Sequence, residues 1–124
     1  MREIEERKSV RRYSAEAIEK TKLDAILGSA RLAPSGHNKQ PWHFIVVADA
    51  GKREEIAMAS NQQRWMASAP VHIVCVADIR ARTQNAEQMY GDDESPSFVL
   101  KRVIRDTAIA MSYILLEDRH QRLD

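Results

Sequence analysis

Four cations and a hydroxyl stand close together near the start of the chain, at Arg7, Lys8, Ser9, Arg11 and Arg12. A phosphate monoester suits this mixture, because guanidinium forks grip two oxygens at once while a hydroxyl and main-chain N–H groups take the others. A basic run is also the usual form of a solvated face, so the residues alone leave both readings open. A second group is Pro34-Ser35-Gly36-His37-Asn38-Lys39-Gln40-Pro41-Trp42, where hydrogen-bonding side chains lie between two prolines. A rigid polar loop in front of a strand is a common way to hold a planar heterocycle. The donors and acceptors of Asn38 and Gln40 could match the carbonyl and imide edge of such a ring. The alternative is a well-made turn in which Ser35 and Asn38 satisfy main-chain groups. A third cluster, Asn61-Gln62-Gln63-Arg64-Trp65, offers an amide and a cation, or else a plain surface turn.

Other chemistries find less support. His37, His43, His72 and His120 lack the spacing and cysteine company of a zinc site, and Asp92-Asp93-Glu94 lacks the alternating ligands of a calcium loop. No metal site is expected. Neither a glycine-rich phosphate loop nor a serine in a nucleophile elbow is present. The single cysteine, Cys75, sits in the apolar stretch Val71-His72-Ile73-Val74-Cys75-Val76-Ala77 and reads as a small buried thiol.

Positioning these clusters falls to a short series of elements. After Ser14, the recurrence of Ile18, Leu23, Ile26, Leu27 and Ala30 predicts a helix with one buried face, ended by Pro34 and Gly36. Residues 43–48 predict a buried strand, residues 52–59 a helix, and residues 71–77 a second strand. Residues 79–95 turn polar and predict a surface loop or short helix. Ser95-Pro96 reads as an N-cap followed by a first-turn proline. The apolar stripe Val99, Leu100, Val103, Ile104, Thr107, Ala108, Met111, Ile114 and Leu115 then predicts a long helix, central to the core or to a subunit contact. Helices and strands in this order give an α/β or α+β layer arrangement.

With 124 residues, 44% of them hydrophobic, the chain is expected to form a single domain over 1–124 that is short for enclosing a large cofactor alone, which makes a partner subunit plausible. Nineteen Lys plus Arg against eighteen Asp plus Glu leave a net charge of +1, which argues against a nucleic-acid partner. The first residues are charged and the apolar runs are short, so the expected protein is soluble and cytoplasmic, with no membrane span.

In order and separation the clusters resemble the nitroreductase family of flavoproteins. The matching pattern is Arg7-Lys8-Ser9-Val10-Arg11-Arg12-Tyr13, a helix, the stretch from Ala33 through Gln40-Pro41-Trp42 into a strand, Ala69-Pro70-Val71, and finally Ala108-Ile109-Ala110-Met111. The resemblance implies an α+β, three-layer α/β/α fold with a small mixed or antiparallel sheet flanked by helices. It implies FMN at the seam of a homodimer, with the phosphate held by Arg7, Lys8 and Ser9 and the pyrimidine side reached by Arg11. It also places Pro34, Ser35, Gly36, Asn38 and Gln40 in the pocket, partly from the other subunit, and Asn61 and Arg64 at the ring edge. The implied activity passes electrons from NADH or NADPH to a nitroaromatic, quinone or similar small-molecule acceptor by ping-pong hydride transfer. No protein catalytic residue is required for this, because flavin N5 carries the chemistry. Family members run on past the long helix into further site-forming segments, whereas here Glu117-Asp118-Arg119-His120-Gln121-Arg122 follows Leu116. The expectation is a C-terminally short member, and the rival reading is a non-catalytic dimer that binds flavin or another ligand weakly.

Overall fold

A computed structural model of the chain describes residues 1–83 and 96–123, with the side chains of 96 and 97 left aside. The elements run α1 (Arg2–Glu6), α2 (Lys20–Arg31), β1 (Trp42–Val47), α3 (Ala50–Ala59), β2 (His72–Ala77) and α4 (Pro96–His120). Short 3-10 turns at Gly36–Asn38, Arg64–Ser68 and Ile79–Ala81 join them. The class is α+β, as expected.

β1 and β2 pair antiparallel in a two-stranded sheet, with Phe44 opposite Cys75 and Val46 opposite Ile73. Side chains alternate between faces of a strand, so Trp42, Phe44, Ile73 and Cys75 share one face. That face meets the helices. Ile26 and Ala30 of α2 and Ile114 of α4 are buried together, with Phe44, Ile73 and Cys75 packed on them. Ala33, Trp42 and Ala110 form a second cluster. The other sheet face is more open, and Ile45 there is 53% exposed. The expectation of buried strands therefore holds only in part: Trp42 and His72 are buried, while Ile45 and Val46 are exposed, since two strands cannot cover each other.

α2 begins six residues after Ser14, at Lys20. Ser14 Oγ instead accepts the Glu16 N–H at 3.2 Å, a local turn that competes with helix and leaves Ile18 outside it. The helix ends at Arg31, before Pro34. α3 opens two residues earlier than predicted because Asp49 caps it, its carboxylate accepting the Lys52 N–H at 2.9 Å. α1 was not expected. Its acidic side chains tie it to the end of α4, through Arg119 to Glu6 at 2.9 Å and His120 to Glu3 at 3.1 Å. α4 runs on to His120, past the apolar stripe. The Ser95 cap and residues 84–95 lie outside the described residues.

The stripe on α4 divides into two faces. Val103, Ala110 and Ile114 are buried, as is Thr107. Leu100, Ile104, Met111 and Leu115 are 42–51% exposed and form a second row on the same helix. No described helix is long and apolar enough to cross a membrane.

Candidate functional site

The 34–40 loop is built against its own backbone preferences. His37, Asn38 and Gln40 all take positive φ, at 56°, 53° and 47°. Each such residue costs about 1–2 kcal/mol, so the conformation must be fixed by its surroundings. Part of that fixing is internal: Ser35 Oγ accepts the Gln40 N–H at 2.9 Å, and Asn38 Oδ1 accepts from Gln40 Nε2 at 3.0 Å. The Pro41 carbonyl accepts from Asp78 N–H at 2.8 Å and from the Thr107 hydroxyl at 3.2 Å, anchoring the loop exit to β2 and α4. Asn38 Nδ2 and Gln40 Oε1 are left with no partner among the described residues, one donor and one acceptor on an exposed loop.

The rest of the anchoring comes from two residues that the sequence did not single out. Arg82 and Asp106 form an ion pair at 2.8 Å, with side chains only 8% and 4% exposed. Asp106 Oδ2 also accepts the Gly36 N–H at 3.2 Å, and Arg82 Nη2 donates to the Gly36 carbonyl at 2.9 Å. These positions lie 46 and 70 residues from Gly36 in sequence, so no local pattern could have announced them.

The basic cluster takes a different place. Arg7 leaves α1 in extended conformation, and Arg7, Lys8, Ser9 and Arg11 are all exposed. Some cations are paired with carboxylates, as in Arg2 with Glu6, Lys20 with Asp24 and Arg80 with Asp78, and others, such as Arg12 and Arg31, are not paired among the described residues. Among the described residues Arg7, Lys8, Arg11 and Arg64 have no such partner within 4.0 Å. The Arg11 guanidinium lies over the Trp65 ring at 5.9 Å, and Tyr13 packs against that ring at a tilt of 31°, 6.1 Å between centroids. Burial raises the Tyr13 phenol above its ordinary value; Asp118 adds to the rise and Arg11 offsets part of it. The basic segment is thereby joined to the turn carrying Arg64. Arg53 of α3 secures that turn, donating to the carbonyls of Ala67 at 2.9 Å and of Ala69. Asn61 and Gln62 enter it with positive φ.

The expected site residues fall into two halves. Arg11 meets Trp65, next to Arg64 in sequence, and Tyr13 on the same ring lies near Asp118 of α4, whereas the 34–40 loop is held at Gly36 by Asp106 and the following Pro41 is bonded to Thr107. Asp106 and Asp118 are roughly 18 Å apart along the helix at ~1.5 Å per residue. Among the described residues no hydrogen bond or ion pair joins the halves. A cleft of about 480 Å³ is lined by Arg12, Tyr13, Trp65 and His72 with others, but by none of the eleven expected site residues. No group of three metal-ligating side chains occurs among the described residues.

This arrangement is the nitroreductase fold. A solved structure of Bacillus megaterium NfrA2 matches it with a TM-score of 0.82 at 25% identity, over 97% of this chain and 50% of that one. An FMN-dependent nitroreductase from Clostridium difficile matches with a TM-score of 0.73 at 31% identity, over 96% of this chain and 60% of that one. The sequence model of the nitroreductase family matches residues 4–63, a span that holds every expected site residue except Arg64. A Bacillus subtilis protein provisionally named an NAD(P)H nitroreductase is 32% identical over 102 residues, 81% of this chain and 50% of its own length. The chain belongs to the nitroreductase family. It spans about half the length of the curated relatives it matches.

Proposed function

We propose that this chain is an FMN-binding domain, over 1–124, of an NAD(P)H-dependent oxidoreductase, and that FMN lies between two copies of it. The observation that carries the reading is the exposed cluster of Arg7, Lys8 and Arg11 around Ser9, several cations within a few residues and none with a carboxylate partner among the described residues. A dianionic phosphate fits such a set, with Arg7 and Lys8 supplying charge and Ser9 a hydroxyl donor. The donor of Asn38 and the acceptor of Gln40 fit the edge of a flavin ring, and the fixed turn Pro34-Ser35-Gly36 would carry them to it. Arg11, with Asn61 and Arg64 beside it on the Trp65 turn, would hold positive charge against the pyrimidine side. When bound, the flavin would supply hydride acceptance at N5 and pass electrons on to a nitroaromatic, a quinone or a similar acceptor, in ping-pong order. The protein's contribution is electrostatic, since cations fixed near that edge favour the reduced form.

The same geometry supports a dimer. The two halves meet α4 at points roughly 18 Å apart along its axis, and a second copy running antiparallel would set one half against the other. Leu100, Ile104, Met111 and Leu115 recur at steps suited to a helix seam, and their exposure supports a second copy as the occupant of that face. The experiment is to saturate the purified protein with FMN, remove excess, and follow NADH- or NADPH-dependent reduction of a nitroaromatic. Yellow, active protein is expected. Colourless, inactive protein would sink the reading and leave a non-catalytic family member.

A further inference from the structure

Gly36 has both main-chain polar groups taken by one buried ion pair. Its N–H donates to Asp106 Oδ2 at 3.2 Å, its carbonyl accepts from Arg82 Nη2 at 2.9 Å, and the same two side-chain atoms meet at 2.8 Å. A Cβ at residue 36 would stand 2.5 Å from Arg82 Nη2, so any larger residue would push the guanidinium from its place. Arg82 Nε is also buried and has no partner among the described residues, so the guanidinium accepts an unsatisfied donor in this position.

Burying a charged pair is costly in desolvation, and apolar replacements of such pairs are often as stable. What two apolar side chains could not do is hold an N–H and a carbonyl of the same residue. The loop that follows carries three residues at positive φ and needs external fixing. We propose that Arg82 and Asp106 are positioning residues: through Gly36 they hold the 34–40 loop in its strained form, and so set the affinity of the site for the flavin. The second half of this inference rests on the FMN reading above; the grip on the loop does not.

The test uses Arg82→Met, Arg82→Lys and Gly36→Ala, with amide hydrogen exchange and FMN titration as readouts. In Arg82→Met the amides of Asn38, Lys39 and Gln40 exchange about ten-fold faster while those of β1 and β2 keep their rates, the signature of a local opening. Arg82→Lys, which keeps a cation able to donate twice, recovers part of that protection. Gly36→Ala, whose methyl displaces the guanidinium, reproduces the Met pattern should Arg82→Met not fold. The Kd for FMN rises about ten-fold wherever the loop loosens, by roughly 1.4 kcal/mol. Loop amides that keep wild-type rates, or that speed up only together with β1 and β2, would overturn the grip. A loosened loop with unchanged FMN affinity would overturn its role toward flavin. Wild-type protein that binds no FMN would remove the flavin reading, and the exchange rates would still decide the grip.

Discussion

Arg11 has a cation–π contact with Trp65 and no carboxylate partner, so its charge is available to whatever lies beside that turn. If a flavin lies there, Arg11→Ala removes positive charge near the edge where the reduced form is negative. The expected outcome is a lower reduction potential for the bound flavin and slower hydride uptake, read by equilibration with a reference dye; an unchanged potential would place Arg11 on plain surface. Glu3 and Glu6 carry a pH dependence. The main-chain hydrogen bond and His120 lower the Glu3 carboxyl, and Arg2 and then Arg119 lower that of Glu6, both from an ordinary value of 4.5. A lowered carboxyl contributes stability above its unfolded value and loses it as pH falls through the folded one. The α1 tether to α4 is therefore expected to hold above pH 4.5 and to weaken below it, visible as a shift of the Arg119 and His120 resonances in an acid titration. Resonances that do not move would rule out the tether.

At the scale of elements, α2 and α4 meet in a core cluster closed by the sheet. Ile114 is 7% exposed and packs on Ile26 and Ala30, with Phe44, Ile73 and Cys75 around them. Ile114→Ala should cost about 2–5 kcal/mol in a urea melt, by lost transfer energy plus the cavity left behind. A loss under about 1 kcal/mol would mean that the site collapses freely or is not core. Both strands, α3 and the long helix were legible from period and turn residues, because those signals are local. The start of α2 was not, since Ser14 closes a turn rather than capping a helix, and α1 was not, since its hold on α4 comes from residues more than a hundred positions away. The same limit applies to the site. The 34–40 loop announced itself by its prolines and amides, but its strained backbone and the Arg82–Asp106 grip depend on long-range contacts that spacing does not encode.

At the scale of the whole molecule, α4 meets both halves of the expected site and also exposes the apolar row of Leu100, Ile104, Met111 and Leu115. Ile104→Glu should abolish self-association at micromolar concentration, because a charge in the middle of a helix seam is left desolvated and unpaired. Sedimentation equilibrium would show monomer for the variant and dimer for the unaltered chain; a monomer in both would remove the second copy. Whether the cations at the start of the chain hold a flavin phosphate is tested most directly by an FMN titration followed by quenching of flavin fluorescence. Saturable quenching is expected, with a micromolar or tighter Kd that Arg7→Ala weakens about ten-fold or more, as for loss of a charge-assisted contact worth about 1.5–3 kcal/mol. No quenching, or an affinity that Arg7→Ala leaves unchanged, would contradict it.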